Sequence, residues 1–220
     1  GSTFSSVAQL TLRDAGNNIV SAPEFASMTV SAFISGTEGV FILPNGTRST
    51  TYEITASNGI AAFIEMRIGG KVSTSYTIQF RVTVETISNS ATVSQTLTAT
   101  QTGIFVDPGQ PAAIEVVDQP GNRTAGSSFL ISPKIRLLDA FGNYTSLGQK
   151  SVAVVLVSTD RGTVFNDSTS AVVTTNGVAS FSNLVVAGRV GVNYSIRFSV
   201  VIDGPSPATI SAAINDLTLT

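Results

Sequence analysis

The sequence predicts an all-β protein made of two tandem antiparallel β-sandwich domains. Three observations predict it. Apolar residues recur with period two, Gly- and Asn-containing turn pairs punctuate the chain at short intervals, and one pattern occurs twice.

The repeat is the strongest of these. "VAQLTLRDAGNN" (residues 7–18) matches "SPKIRLLDAFGN" (132–143), and residues 57–84 match 175–202 without a gap. Asn58-Gly59 falls on Asn176-Gly177, Phe63 on Phe181, Gly70 on Gly188, Tyr76 on Tyr194 and Phe80 on Phe198. Spacing between the two blocks differs by several residues, as surface loops allow. Two domains follow, 1–108 and 109–220, joined at the linker-like "VDPGQP".

Within each copy the elements read in order as strands. "LTLRD" and "KIRLLD" alternate, with Leu10 and Leu12, or Ile135 and Leu137, on one face. Later, Tyr76, Ile78, Phe80, Val82 and Val84 share a face, as do Tyr194, Ile196, Phe198 and Val200. That is the pattern of half-buried antiparallel strands. Turns are expected at Gly16-Asn17, Asn45-Gly46, Asn58-Gly59, Gly69-Gly70, Gly142-Asn143, Asn176-Gly177 and Asp203-Gly204. No segment has a helical period. "AAIEVV" (112–117) is a good first strand for the second domain. The first domain has only residues 1–9 there, so its first strand is expected to be missing, either cut away or short. A missing strand exposes unpaired backbone that invites pairing with another chain.

Composition agrees. Of 220 residues, 42% are apolar and 12% charged, and Ser and Thr make up about a quarter. The usual charged share is about 25%. Net charge is −2 and the twelve Lys and Arg are scattered, which excludes the clustered basic surface that nucleic acid requires. No apolar run approaches the ~20 residues of a membrane span, so no membrane insertion is expected. Gly1-Ser2 reads as an expression remnant, and the chain as a piece of something longer.

The second copy resembles the bacterial-type Ig-like repeats of long cell-surface proteins, through "VVDQPGNRTAGSSF…IRLLDAFGN", "VVTTNGVASFSNLVVAG" and "YSIRFSV". Invasin-like and filamin-like repeats have a similar layout. The resemblance spans residues 112–220 and implies an Ig-like sandwich, an extracellular or cell-surface location, and stacking against neighbouring repeats of the same chain. It implies that Tyr76 and Tyr194, near the start of a penultimate strand, are corner tyrosines whose hydroxyls fasten a loop.

Chemistry is sparse. The chain has no Cys, His or Trp. That removes disulfides, thiolate sites, the commonest general base, and the aromatic platform usual at sugar sites. A Ser–Lys pair would have to use Lys71, Lys134 or Lys150, and each reads as exposed. The same exposure counts against a Lys–Asn isopeptide bond. The fourteen acids are too dispersed for a glycosidase pair. No catalytic residue and no cofactor is therefore expected. Asp14 and Asp139, then Asp107 and Asp118 near the junction, are weak candidates for calcium, which wants six to eight converging oxygens. A plain turn, in which Asp caps the amides that follow it, needs less.

Two further patterns are surface features. Thr92, Ser94, Thr96, Thr98, Thr100 and Thr102 form one face of a strand, read as a solvated face rather than an ice-binding rank. Asn-x-Ser/Thr triplets start at Asn45, Asn122, Asn143, Asn166 and Asn193, the last with least room for a glycan. The favoured reading is a structural spacer of a large surface protein or adhesin, without catalytic activity. The alternative is an adhesive module that contacts surface carbohydrate, protein or a neighbouring copy through an open sheet edge or loops, namely 36–39 with 159–162 and 45–51 with 166–170.

Overall fold

The computed structural model describes residues 8–20, 28–88, 91–121, 124–146, 150–157, 163–165, 170–172, 176–182, 184–203 and 207–220. Every regular element among them is a strand. The chain divides into two compact units, Gly1–Asp107 and Pro108–Thr220, each with its own core.

Unit 1 holds β1 (Ala8–Thr11), β2 (Thr29–Ser35), β3 (Val40–Ile42), β4 (Arg48–Ser49), β5 (Thr51–Thr55), β6 (Ile60–Phe63), β7 (Arg67–Gly69), β8 (Tyr76–Ser88) and β9 (Ala91–Ile104). They pair antiparallel in the orders β5-β2-β8-β9, β4-β3-β7 and β1-β6. Alternation decides which face is buried. Tyr76, Ile78, Phe80 and Val82 of β8 point inward with Val30, Ala32 and Ile34 of β2. Ala61 and Phe63 of β6 meet them from the other side, with the Phe63 and Phe80 rings 5.2 Å apart. Each such aromatic, once buried, contributes about 2–3 kcal/mol of transfer free energy.

Unit 2 holds β10 (Pro111–Asp118), β11 (Lys134–Asp139), β12 (Ser151–Val157), β13 (Thr163–Phe165), β14 (Ser170–Val172), β15 (Val178–Ser180), β16 (Val185–Ala187), β17 (Asn193–Ile202) and β18 (Ala208–Thr218). Its sheets are β14-β12-β17-β18, β13-β16 and β10-β11-β15. The core stacks Phe181 on Phe198, with centroids 4.9 Å apart, among Ile135, Leu137, Val152, Ile196 and Val200. The protein is thus all-β, an antiparallel sandwich in each unit.

The strand orders correspond, with two differences: β4 lies beside β3 in unit 1 with no counterpart beside β13 among the described residues, and β10 lies beside β11 in unit 2. β5-β2-β8-β9 has its counterpart in β14-β12-β17-β18, and the β1-β6 pair in β11-β15. β11 carries a further partner, β10, on its other side, and β1 has no such partner among the described residues. What stands before Ala8, where the expected short or missing first strand falls, lies outside the described residues.

Tyr76 and Tyr194 are fully buried at the start of β8 and β17. The Tyr76 hydroxyl donates to the Lys71 carbonyl at 2.9 Å, with the Thr37 carbonyl a second acceptor at 3.2 Å. The Tyr194 oxygen accepts from the Arg189 amide at 2.7 Å. Both therefore fasten backbone five residues upstream, which gives a buried phenol the partner it needs.

Candidate functional site

The most elaborate polar arrangement among the described residues is the turn at the end of β11. Asp139, Asn143 and Thr145 are its buried polar residues, Asp139 only 4% exposed. The chain reverses through Gly142, whose φ of 71° suits glycine, and closes with backbone bonds Gly142 N–H to Asp139 O (3.0 Å) and Asp139 N–H to Asn143 O (2.9 Å). The carboxylate organises the rest. One oxygen accepts from the amides of Phe141 (2.8 Å) and Asn143 (2.9 Å). The other accepts from the Gly109 amide (2.8 Å) and the Asn143 side chain (3.0 Å). Thr145 donates its hydroxyl to the Gly109 carbonyl at 2.8 Å. The turn thus ties down the chain just before β10. Burial works to raise the Asp139 pKa, but the donated hydrogen bonds outweigh it and hold the carboxyl below the usual carboxylate value.

The matching turn in unit 1 has the same skeleton at the surface. Asn17 N–H bonds Asp14 O, Asp14 N–H bonds Asn18 O, and the Asn18 amide (2.8 Å) and side chain reach the Asp14 carboxylate. Those bonds from Asn18, backbone first, hold Asp14 below its ordinary pKa. Asp14 is exposed, and among the described residues none donates to its carboxylate from a distant segment as Gly109 does to Asp139. Val20 stands where unit 2 has Thr145, so the hydroxyl clamp is also absent.

The four acids singled out in the sequence do not share a site. Asp14 and Asp107 belong to unit 1, Asp139 and Asp118 to unit 2. Asp107 is exposed. Asp118 pairs with Lys134 at 2.9 Å, at the end of β11 opposite Asp139, five residues or roughly 17 Å away along the strand. Asp139 meets four N–H donors, about the capacity of a carboxylate, so its lone pairs face amide hydrogens. Among the described residues, no three His, Cys, Asp or Glu converge.

The other polar candidates fall into ordinary roles. Lys71 lies 3.7 Å from Glu38, and Lys150 is 3.0 Å from Asp203. Lys150 departs from the expected exposure: its side chain is only 17% accessible, because its stem is covered while its ammonium reaches Asp203. Thr92, Ser94, Thr96, Thr98 and Thr100 lie on the outer face of β9, the Thr96 and Thr83 hydroxyls 3.4 Å apart. The accessibility of the glycan triplets also differs from expectation. Asn193 is exposed, its side-chain oxygen accepting from Thr218 at 2.7 Å, whereas Asn143 is buried in the Asp139 turn. Asn45 is exposed; Asn122 and Asn166 lie outside the described residues. Of the paired binding loops, residues 36–39 are shaped around Tyr76, since a β-carbon on Gly36 or Gly39 would stand 2.6 Å from its ring. Residues 159–162 and 166–169 lie outside the described residues.

Unit 1 also has a groove, between β1 and β9, beside the edge that the sequence predicts to be open. Leu10, Met66, Ile78 and Phe80 line it on the core side, Leu97, Ala99 and Gln101 along β9. All of β9 is exposed apart from half-buried Ile104. Its uncharged inward positions were the available signal.

No protein-family model matches the chain, and no curated protein matches it. Similar solved structures include a β-glucuronidase of Parabacteroides merdae with glycerol in its active site. It is 12% identical with a TM-score of 0.30, over 84% of this chain and 20% of that one. A β-glucuronidase from glycoside hydrolase family 2 is 14% identical with a TM-score of 0.29, over 97% and 20%. Bacteroides uniformis β-glucuronidase 3 is 11% identical with a TM-score of 0.22, over 84% and 21%. The likeness is one of fold alone. The chain spans about a fifth of the length of these enzymes.

Proposed function

We propose that this chain is a non-catalytic spacer of Ig-like repeats in a large extracellular surface protein. The observation that carries the reading is how its polar groups are used. Among the described residues the buried ones, the two phenols and the Asp139–Asn143–Thr145 cluster, are bonded to the protein's own backbone and to one another, and one covered carboxylate oxygen of Glu115 is the exception. Each lysine ammonium stands against a carboxylate. Such an arrangement stiffens corners and junction-proximal chain, and it suits a module whose task is to hold its shape.

Force spectroscopy of the full chain tests this. Two unfolding steps are expected, each releasing at most about 350–400 Å of chain for a unit of this length. Unfolding in one step at negligible force, or turnover of a glycoside substrate, would count against a spacer. A second reading, an adhesive module that binds a partner, is favoured by one observation, the open groove of unit 1.

A further inference from the structure

The groove of unit 1 is the place that β10 fills in unit 2. The matched positions make the comparison direct. β11 pairs with β15 on one side and with β10 on the other, in the register Ile114↔Leu137 and Val116↔Ile135. Ile114 and Val116 then pack on the core, and β10 lies along β18. β1 pairs with β6 as β11 does with β15, and its opposite edge has no partner strand among the described residues.

Burial follows the same difference. Leu10 and Leu12 are half-buried, whereas their counterparts Ile135 and Leu137 are buried. On β9, Gln101 faces Ile78 and is exposed; the counterpart on β18, Ile214, faces Ile196 and is only 3% exposed. Leu97, opposite Val82, is 38% exposed. Unit 2 uses residues 111–133, twenty-three in all, for β10 and its link to β11. Among the described residues, no strand stands to β1 as β10 stands to β11.

We propose that this groove binds an extended strand of another polypeptide, antiparallel to β1, with the chemistry of β10. Its backbone would pair with the groups of Gln9 and Thr11, which face away from β6. Two aliphatic side chains two residues apart, placed as Ile114 and Val116 are, would lie opposite Leu12 and Leu10 and close over Phe80 and Leu97. An acid at the far end is not required, because Gln9 stands where β11 has Lys134. This is strand addition at a sheet edge: main-chain bonds supply affinity and alternate side chains supply specificity. The inference stands apart from the spacer reading, because a groove that binds a strand is compatible with a spacer or an adhesive module.

The test uses the full 220-residue chain and a synthetic peptide with the sequence of residues 109–119, "GQPAAIEVVDQ". Saturable binding is expected, with amide exchange of Gln9 and Thr11, whose backbone groups face away from β6, slowed about tenfold or more. Replacing the peptide's two inward residues by Asp should abolish both effects. So should Leu97→Glu in the protein, a change at an already exposed position whose own melting temperature should match the parent. Three results would overturn the proposal: no binding at millimolar peptide, binding that leaves exchange at Gln9 and Thr11 unchanged, or slow exchange at those two amides without peptide. The last, if it depends on protein concentration, would make a second copy the occupant; if not, residues of the same chain.

Discussion

A β-carbon on Gly188 would collide with the phenol oxygen of Tyr194, and one on Gly70 would collide with that of Tyr76. The two glycines are therefore the floor on which each buried phenol lies as it fastens the chain upstream. Steric room, rather than backbone freedom, is what selects glycine there. Gly188→Ala should destabilise unit 2 by about 2–3 kcal/mol, the scale of overpacking a tight core. Tyr194→Phe should cost about 1–2 kcal/mol for the lost hydroxyl. The double variant is the sharper test. The ring carbon bearing the hydroxyl would still lie 2.5 Å from the new β-carbon, so Phe should not relieve the alanine. Chemical denaturation of the four proteins checks this; full rescue by Phe would show that only the hydroxyl demands glycine.

Asp139 should be worth more than Asp14, although the two occupy matched turns. Asp139→Ala would take the carboxylate acceptor away from the amides of Gly109, Phe141 and Asn143, the last of them buried. The expected loss is about 3 kcal/mol, or roughly 10–15 °C in melting temperature for a unit of this size. Asp14→Ala, at the surface, should shift melting far less. The pH dependence has a defined sign. The carboxyl is held below 3.8 in the folded protein, so the unfolded chain takes up its proton first as pH falls. Stability from this group is complete well above pH 3.8 and is lost as pH drops below that value through the folded pKa. Melting curves of Asp139→Asn should therefore start lower at neutral pH and decline less steeply in acid than those of the parent.

Period-two patterning exposed the strands because one face of each sheet is buried: Ile78, Phe80 and Val82 had to face one way whatever the loops did. The turns were legible for a similar reason, since Gly59, Gly142 and Gly177 hold positive φ that other residues adopt at a cost. The corner tyrosines could be named from position, but their glycine floors could not, because a collision between Gly70 and Tyr76 is a fact of three-dimensional packing. Asp139 and Asp14 looked alike in sequence. They differ because Gly109 covers one of them, and that contact spans thirty residues. An open first edge in unit 1 was an expectation of the sequence, but which side chains line the groove beside it, Leu97 and Gln101 of β9 among them, depends on long-range packing.

Gly177 and Gly191 separate steric collision from backbone strain. Both hold positive φ, 69° and 77°. A β-carbon on Gly177 would run into the Thr145 carbonyl oxygen, part of the backbone that also bonds Leu137, whereas one on Gly191 would meet nothing within 4 Å. Gly191→Ala should cost only the left-handed penalty, about 1–2 kcal/mol. Gly177→Ala should cost about 3 kcal/mol or more, because the obstructing atom is main chain and cannot swing aside. Equal losses would mean that the turn at Asn176 relaxes away from Thr145.

Calcium is the remaining question at the Asp turns, and the geometry argues for its outcome. A cation at Asp139 would have to displace amides from both carboxylate oxygens and release Gly109, giving up several charge-assisted bonds for one ligand residue. At Asp14 solvent is available, but the carboxylate is engaged by Asn18, and no group of three or more ligating side chains forms there among the described residues. The melting temperatures of both units should accordingly be the same in millimolar calcium and in chelator. If calcium did raise one of them, Asp14→Asn and Asp139→Asn would locate the effect. Loss of the rise in the first would mark an exposed turn that gathers a cation from solvent. Loss in the second would mean that the buried turn opens, and hydrogen exchange at Gly109 should then quicken on adding metal.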